Sequence, residues 1–548
     1  MTGASQEAHL LEPAHRLSRS RLWRWQRAFF AGQGVDAWRK QIVPQFITTN
    51  TFMAGAYAQL VYGWLRDLAS LPAPGLDPSQ PIYLVELGSG SGRLAHHFLR
   101  DFWSFFPASS LGHLPVKFVM TDFSQATLGF WESHPALAPY VAAGRLDFAL
   151  FDAGRDQALT LVHSGATLSA EARLNPLAVI ANYFFDGLPT DVFRFRNGAI
   201  YEGRALLSAG PDVPADLDDP ELIGRAQLAF EFVPLAGDYY ADPAFDDLLR
   251  HYQANLEDSV LEFPVAALEC LRTLRRLAHD RLLLLSADRG YHRADDLPGR
   301  PVPTLNIHGS FSMVVNYHAL GQYIVQRGGQ FLATARAPSE LDVCAGLLGR
   351  HPADYPETRQ AYQQAVERFG PDDFYTLRLG VEAHLAALEP AHILAYLRLS
   401  GWDSTRFMAC FPALAGKLND APPAVRAEWY AAVPHIWGGY YHLGEEHDLA
   451  FALGLLLYGL DHHDEALEFF ERSLRLSGPD ARTYCSMALC HAELRQWPAA
   501  RDRLEQALAL DPALSIALDL RLTVQAAMDA SEPRAALAGN PPDQVITL

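Results

Sequence analysis

Pro81-Ile-Tyr-Leu-Val-Glu86-Leu-Gly88-Ser-Gly90-Ser-Gly92-Arg93 is the stretch on which the fold turns. A short apolar run ends in Glu86, and three glycines then alternate with small residues. The apolar pattern resumes at Leu94 and continues through Phe98 and Leu99. Such an order predicts a buried parallel strand, a tight glycine turn and the start of a helix. Glycine takes positive φ without steric cost and lets a ligand approach the backbone closely. The first turn of the helix offers free N–H groups to an anionic group. Glu86, at the strand end, can hold an ammonium or a hydroxyl.

Further strands are expected at Val116–Thr121, Leu146–Phe151 and Ala178–Tyr183, separated by helical patterns and loops. Alternation of this kind implies a doubly wound, mostly parallel α/β sheet. Ligands of such sheets sit at the carboxyl ends of the strands. The polar residues there are Glu86 with Gly88, Gly90 and Gly92, then Asp122-Phe123, then Asp152, then Asn182 and Asp186. Asp122 is placed to accept from both hydroxyls of a ribose. Asp152 could accept from an adenine amino group while an aromatic neighbour, Phe123, stacks. An acid at one strand end is usually a turn former. Acids ending three strands in a row, after a glycine loop, point to a nucleoside site.

The dinucleotide fingerprint is G-x-G-x-x-G. Here the spacing is G-x-G-x-G with an acid two residues earlier, which resembles the first motif of Rossmann-like S-adenosylmethionine (SAM) methyltransferases. The order of segments is similar to the family of the mitochondrial complex I assembly methyltransferase and its bacterial homologues. Phe46-Ile-Thr-Thr49-Asn50 resembles that family's F-x-T-S-P-E lead-in, which adds Thr49 to the cofactor candidates. Glu86 to Leu94 matches its E-L-G-x-G-x-G-x-L motif. Asn182, Asp186, Leu188 and Pro189 match N-E-x-x-D-x-L-P. Asp288-Arg289-Gly290-Tyr291 is close to a late D-Y-G turn, and Ser312 to Tyr317 resembles a closing T-A-H-V-D-F. The resemblance spans roughly residues 40 to 335. It departs where the family's Glu, Tyr and His are Tyr183, Arg289 and Val314. The cofactor half is kept and the acceptor half is altered.

What the resemblance implies is SAM-dependent methylation, in that family of a protein arginine. Carboxylates would orient a guanidinium and help it lose a proton. Asp186 is the first candidate, Asn182 would fix the amino-acid end of SAM or the acceptor, and Asp288 is a second carboxylate. His308 and His318 flank the last of these motifs and are read as structural. No metal is expected in the site.

The 548 residues divide, on pattern, into a helical lead-in over 1–78, a methyltransferase domain over 79–336, a helical domain over 337–446 and a repeat region over 447–548. The second of these is expected to carry a helical insertion at about 205–278, including a helical stretch from Asp246 to Ala278. Ser208–Glu221, rich in Pro and Asp, reads as a surface loop. A strand is expected at Arg281–Leu285, and a closing hairpin through Ser310–Asn316 and Gly328–Thr334. In the repeat region Gly454, Ala466, Phe470 and Ser473 recur 34 residues later as Ala488, Ala500, Leu504 and Ala507. That is the period of the tetratricopeptide repeat (TPR), so the C-terminal part is expected to be all-α and TPR-like.

A net charge of −19 argues against nucleic-acid binding, which needs a basic face. Five cysteines without CxxC spacing suggest a reducing compartment, hence the cytoplasm. No apolar run reaches the roughly 18 residues of a membrane span. Arg16, Arg19, Arg21, Arg24 and Arg27, interleaved with Trp23, Trp25, Phe29 and Phe30, read as an amphipathic helix packed on the body. Three functions remain open: methylation of an arginine-like nitrogen on a protein or peptide recruited by the repeats, methylation of a small molecule, and a SAM-binding scaffold without catalysis. A homodimer is allowed by all three.

Overall fold

The computed structural model describes residues 9–70, 76–172, 175–210, 216–349, 351–414, 416–445 and 447–529. They form two compact units, Met1–Thr376 and Leu377–Leu548.

In the first unit the principal strands are β1 (His9–Arg16), β2 (Ile82–Glu86), β3 (Val116–Asp122), β4 (Leu146–Leu150), β5 (Leu177–Asn182), β6 (Asp191–Arg196), β7 (Ala199–Ala209), β8 (Gln227–Pro234), β9 (Asp258–Phe263), β10 (Leu282–Asp288), β11 (Gln330–Leu332) and β12 (Asp342–Leu348). The helices that matter for the site are α1 (Leu22–Gln33), α2 (Thr51–Ser70), α3 (Arg93–Phe105), α4 (Pro243–Asn255), α5 (Val265–Leu277) and α6 (Tyr317–Gln326). The main sheet has seven strands in the order β11-β12-β10-β5-β2-β3-β4. β2 pairs in parallel with β3 on one side and β5 on the other, and β10 runs parallel to β5. The chain therefore winds outward through β3 and β4, returns to β5, and leaves its switch point between β2 and β5. Helices cover both faces, so β2, β10 and β12 are buried along their whole length, which is why they read as unbroken apolar runs. On one face Leu268, Leu271 and Leu274 of α5 and Tyr323 and Ile324 of α6 pack on Val85, Val179 and Leu284. On the other, Phe98 of α3 meets Phe118 of β3, ring centroids 5.1 Å apart.

A second, antiparallel sheet carries β1-β7-β6-β9, with β8 also on β7. Its core holds α1 through Trp23 and Trp25, among Leu11, Val192, Leu207 and Val260. The indole N–H groups donate to Leu17 O and Leu217 O at 2.8 Å. The amphipathic reading holds for the part from Leu22 onward; Arg16 ends β1 and Arg19 lies on a short 3-10 turn ahead of the helix.

Several expectations for this unit need correction. The lead-in is not helical from its start, because β1 pairs with β7 across two register shifts that accommodate Pro13. The region read as a helical insertion contains the end of β7 together with β8 and β9. In β8 the half-buried Leu228, Phe230 and Phe232 alternate with the exposed Gln227, Ala229 and Glu231, a period of two that belongs to a strand. The helical stretch from Asp246 to Ala278 is broken by β9, and Pro264 separates that strand from α5. The segment read as the Ser208–Glu221 loop begins on β7, and its residues 211–215 lie outside the described residues. The closing hairpin is formed by other partners: β11 pairs antiparallel with β12. Ser310–Asn316 leads instead into α6, whose first turn Asn316 caps by accepting from Ala319 N–H at 2.9 Å. β12 itself lies where only helices were expected. Its run Asp342–Leu348 has no helical period and is buried on both faces.

The second unit is all-helical among its described residues. Towards its end come helices Leu449–Gly459, His463–Ser477, Ala481–Glu493, Trp497–Leu510 and Ser515–Asp529. Small residues sit at the crossings, as the repeat predicts. A Cβ on Gly454 would lie 2.6 Å from Phe470 Cε1, and Ala488, Ala500 and Ala507 are fully buried in the next pair. No helix among the described residues is long and apolar enough to cross a membrane. All five cysteines are buried and unpaired.

Candidate active site

The strand ends bring most of the expected cofactor residues together. Gly88, Gly90 and Gly92 have φ of 60°, 51° and 81°, a left-handed run that side-chain-bearing residues resist. Ser89 N–H donates to Thr121 O at 2.8 Å, and the Thr121 hydroxyl donates to Glu86 O at 2.8 Å, tying the loop to β3. Glu86 is buried, its carboxyl is pushed up to about 7 by burial, and its Oε2 has no hydrogen-bond partner among the described residues. Asp122 is pushed up to about 6, again by burial, against the backbone N–H groups it accepts, among them Ser124 N–H at 2.9 Å. Two aromatic rings lie on the glycine loop: a Cβ on Gly88 would meet Phe184 at 2.8 Å, and one on Gly90 would meet Trp38 at 2.7 Å.

A cleft of about 830 Å³ opens beside this loop, lined by Gly88, Asp122, Phe123, Phe151 and Asp152 from the main sheet. That size is within the roughly 300–1,000 Å³ of ligand clefts. Its opposite wall comes from Arg16, Arg19, Trp23, Arg24, Arg27, Phe30 and Trp38, and its far end from Tyr239, Tyr240, Val265, Ala266 and Glu269. Arg27 Nη1 pairs with Asp152 Oδ2 at 2.8 Å, and its guanidinium lies 4.4 Å from the centroid of Phe123. The residues anticipated for adenine thus hold a planar cation of the chain itself. Reading the sequence missed this wall. Its signal was the five arginines interleaved with aromatics, which were assigned only to packing; Tyr239 and Tyr240 had none.

The remaining candidates lie off the cleft wall. Thr49 ends a short helical turn and donates to Gln45 O at 2.8 Å, while Gln45 accepts from Ser91 of the loop at 3.0 Å. Asn182 is engaged at both ends of its amide, accepting from Tyr57 OH at 2.7 Å and donating to Thr48 O at 3.2 Å. Asp186 and Asp288, 102 positions apart, are brought into contact: their carboxyls share a hydrogen bond, and Asp186 N–H donates to Asp288 Oδ2 at 3.2 Å. Burial raises both pKa values, and repulsion by Asp186 raises the fully buried Asp288 further. His318 accepts or donates at Nδ1 with Tyr252 OH, 3.0 Å away, and burial lowers it to about 4. His308 approaches Ser312 at 3.4 Å.

Residues 72–323 match the family model described as "Putative S-adenosyl-L-methionine-dependent methyltransferase". The segment is an S-adenosylmethionine-dependent methyltransferase. Its cofactor is SAM. Two solved structures from Burkholderia thailandensis are similar, an uncharacterized protein at 14% identity and a member of the same superfamily with S-adenosyl-homocysteine bound at 15%. Each match covers 74% of this chain and 84% of that one, with a TM-score of 0.38, too loose an overlap to transfer a site. No curated protein matches the chain. The methyltransferase segment includes the glycine loop, Asp122, Asp152 and the Asp186–Asp288 pair; Thr49 and the arginine-bearing wall precede it. Its residues fit the cofactor: Glu86 has an unpartnered buried oxygen, and Gly88, Gly90 and Gly92 place no Cβ at alternate positions of the loop.

Proposed function

We propose that the protein methylates a small-molecule acceptor bound in the cleft beyond the glycine loop. The observation that carries this reading is the cleft itself, with the strand-end acids at one end and Tyr239 and Tyr240 at the other. Glu86, the loop N–H groups and Asp122 would hold SAM, and adenine would reach Phe123 and Asp152 by displacing the Arg27 guanidinium that lies there. When bound, SAM supplies a methyl on a sulfonium, and transfer forms the acceptor–methyl bond as the carbon–sulfur bond breaks. The protein's share is to align the acceptor and to keep water out, which together account for much of the rate of such displacements. Trp23, Phe30, Trp38 and Phe184 supply the water-excluding walls.

The guanidinium acceptor implied by the family resemblance has less support. Asp186 and Asp288 are spent on each other, and the wall offers four arginines to a cation. A second reading keeps one observation in its favour: the helices after Leu449 stack with small residues at a 34-residue spacing, and a TPR-like array would suit a peptide. Under that reading the repeats recruit a protein acceptor. Incubation of the purified protein with isotopically labelled SAM and separated metabolite and protein fractions of a lysate tests both. Label in a metabolite supports the first reading. Label confined to protein overturns it in favour of the second, and binding without any transfer would leave a scaffold.

A further inference from the structure

Arg16 is the best-positioned cation in the cleft, and its position says what the acceptor carries. Its Nε donates to Tyr239 OH at 2.7 Å, and its guanidinium carbon lies 3.9 Å from the centroid of the Tyr239 ring. The ring is itself fixed, because Tyr239 OH donates to Glu202 Oε1 at 2.7 Å. Next to it Tyr240 OH donates to Asp191 Oδ2 at 2.7 Å, so the nearest carboxylate is already occupied and stands 4.0 Å from Arg16 Nε. Among the described residues neither Nη of Arg16 has a hydrogen-bond partner. The result is a half-buried, oriented guanidinium whose outer N–H groups are open in the cleft wall. Three residues on, the exposed Arg19 lines the same wall with no ion pair among the described residues. Glu269, which lines this end, is exposed; Arg16 keeps the buried Asp191 as a counter-charge through its Nε side, and its outer Nη groups are what the cleft can use.

A planar guanidinium with two parallel N–H groups open pairs best with a planar oxyanion. Arg27 has no such freedom, because Asp152 already takes it. We propose that the cleft contains an anion-reading acceptor subsite, in which the Arg16 fork anchors a carboxylate of the acceptor against the Tyr239–Tyr240 end. The acceptor's reactive atom then points back toward the glycine loop. This inference rests on the cofactor assignment above and deepens it by naming the acceptor's chemical class.

The test uses three probes of one shape and different charge. The full-length protein, saturated with S-adenosylhomocysteine (SAH), is titrated by calorimetry with benzoate, benzamide and benzamidine. Benzoate should bind at least tenfold more tightly than benzamide, and benzamidine most weakly. Arg16→Gln should reduce benzoate affinity tenfold or more while SAH and benzamide affinities stay as they were. Arg16→Lys, which keeps the charge and loses the fork, should fall between, and it serves if the glutamine variant does not fold. Phenyl phosphate binding above benzoate would support the same subsite with phosphate as its anion. Benzamidine binding as tightly as benzoate, or Arg16 variants indifferent to the carboxylate, would overturn the proposal and leave the SAM site standing. Failure of the wild-type protein to bind SAH would instead remove the cofactor assignment on which it rests.

Discussion

Glu86 ends β2 inside the protein, and its carboxyl is held up to about 7 by burial. A bound ammonium or hydroxyl favours the charged form, so SAM-site ligands should bind with release of a proton. SAH affinity is expected to rise about tenfold per pH unit below 7 and level off above it, and Glu86→Gln should be weak and flat. Calorimetry across pH 5.5–8.5 checks this. The ligand-free protein behaves in the opposite sense. The folded pKa values of Glu86 and Asp122 lie above their ordinary 4.5 and 3.8. Between those values and about 6 to 7 the folded state keeps protons that the unfolded chain has lost. Stability should therefore fall as pH rises through that window, and thermal melts at pH 5 and 8 without ligand measure it. Gly90→Val puts a branched side chain at φ 51° with Trp38 2.7 Å from its Cβ. The backbone alone costs roughly 1–2 kcal/mol; a lowered melting temperature with loss of SAH binding is expected. The strand-end residues proposed for the cofactor could be picked out in the sequence because Glu86, Asp122 and Asp152 stand at or just after the ends of mostly apolar strands; Thr49, on a short helical turn, had only the family resemblance. The Asp186–Asp288 contact was not, since nothing in either motif shows that the two strand ends meet carboxyl to carboxyl.

At the scale of elements, α1 and β12 were the hardest to place, for different reasons. α1 shows its helical period plainly, but a period does not say what its polar side faces. Trp23 and Trp25 bury it against the second sheet, and Arg27 on its polar side meets Phe123 and Asp152, while Arg16, which ends β1, reaches Tyr239. β12 carries a run of seven buried residues that a strand and a buried helix share equally. Only its pairing with β10, Leu282 with Leu348 through Asp288 with Asp342, settles which it is. A boundary drawn at about 336 would thus remove a strand from the main sheet. A chain ending at 336 should expose the β10 edge and aggregate, whereas one ending at 376 should remain folded and monodisperse. Size-exclusion chromatography and circular dichroism of the two shortened chains separate the outcomes.

For the whole molecule, every residue assigned to the cofactor and the acceptor subsite lies in the unit Met1–Thr376. That unit alone is expected to bind SAH within about twofold of the full chain. Any dependence of methyl transfer on residues 377–548 would then report recruitment of the acceptor. The central claim, that the strand ends of the main sheet form a SAM site, is tested most directly by titrating the full-length protein with SAH and, separately, with NAD. One-to-one binding of SAH is predicted, weakened in Asp122→Ala by about 1.5–3 kcal/mol through loss of charge-assisted hydrogen bonds, with no binding of NAD. Heat with NAD and none with SAH, or an Asp122→Ala variant that binds SAH as the wild type does, would contradict it.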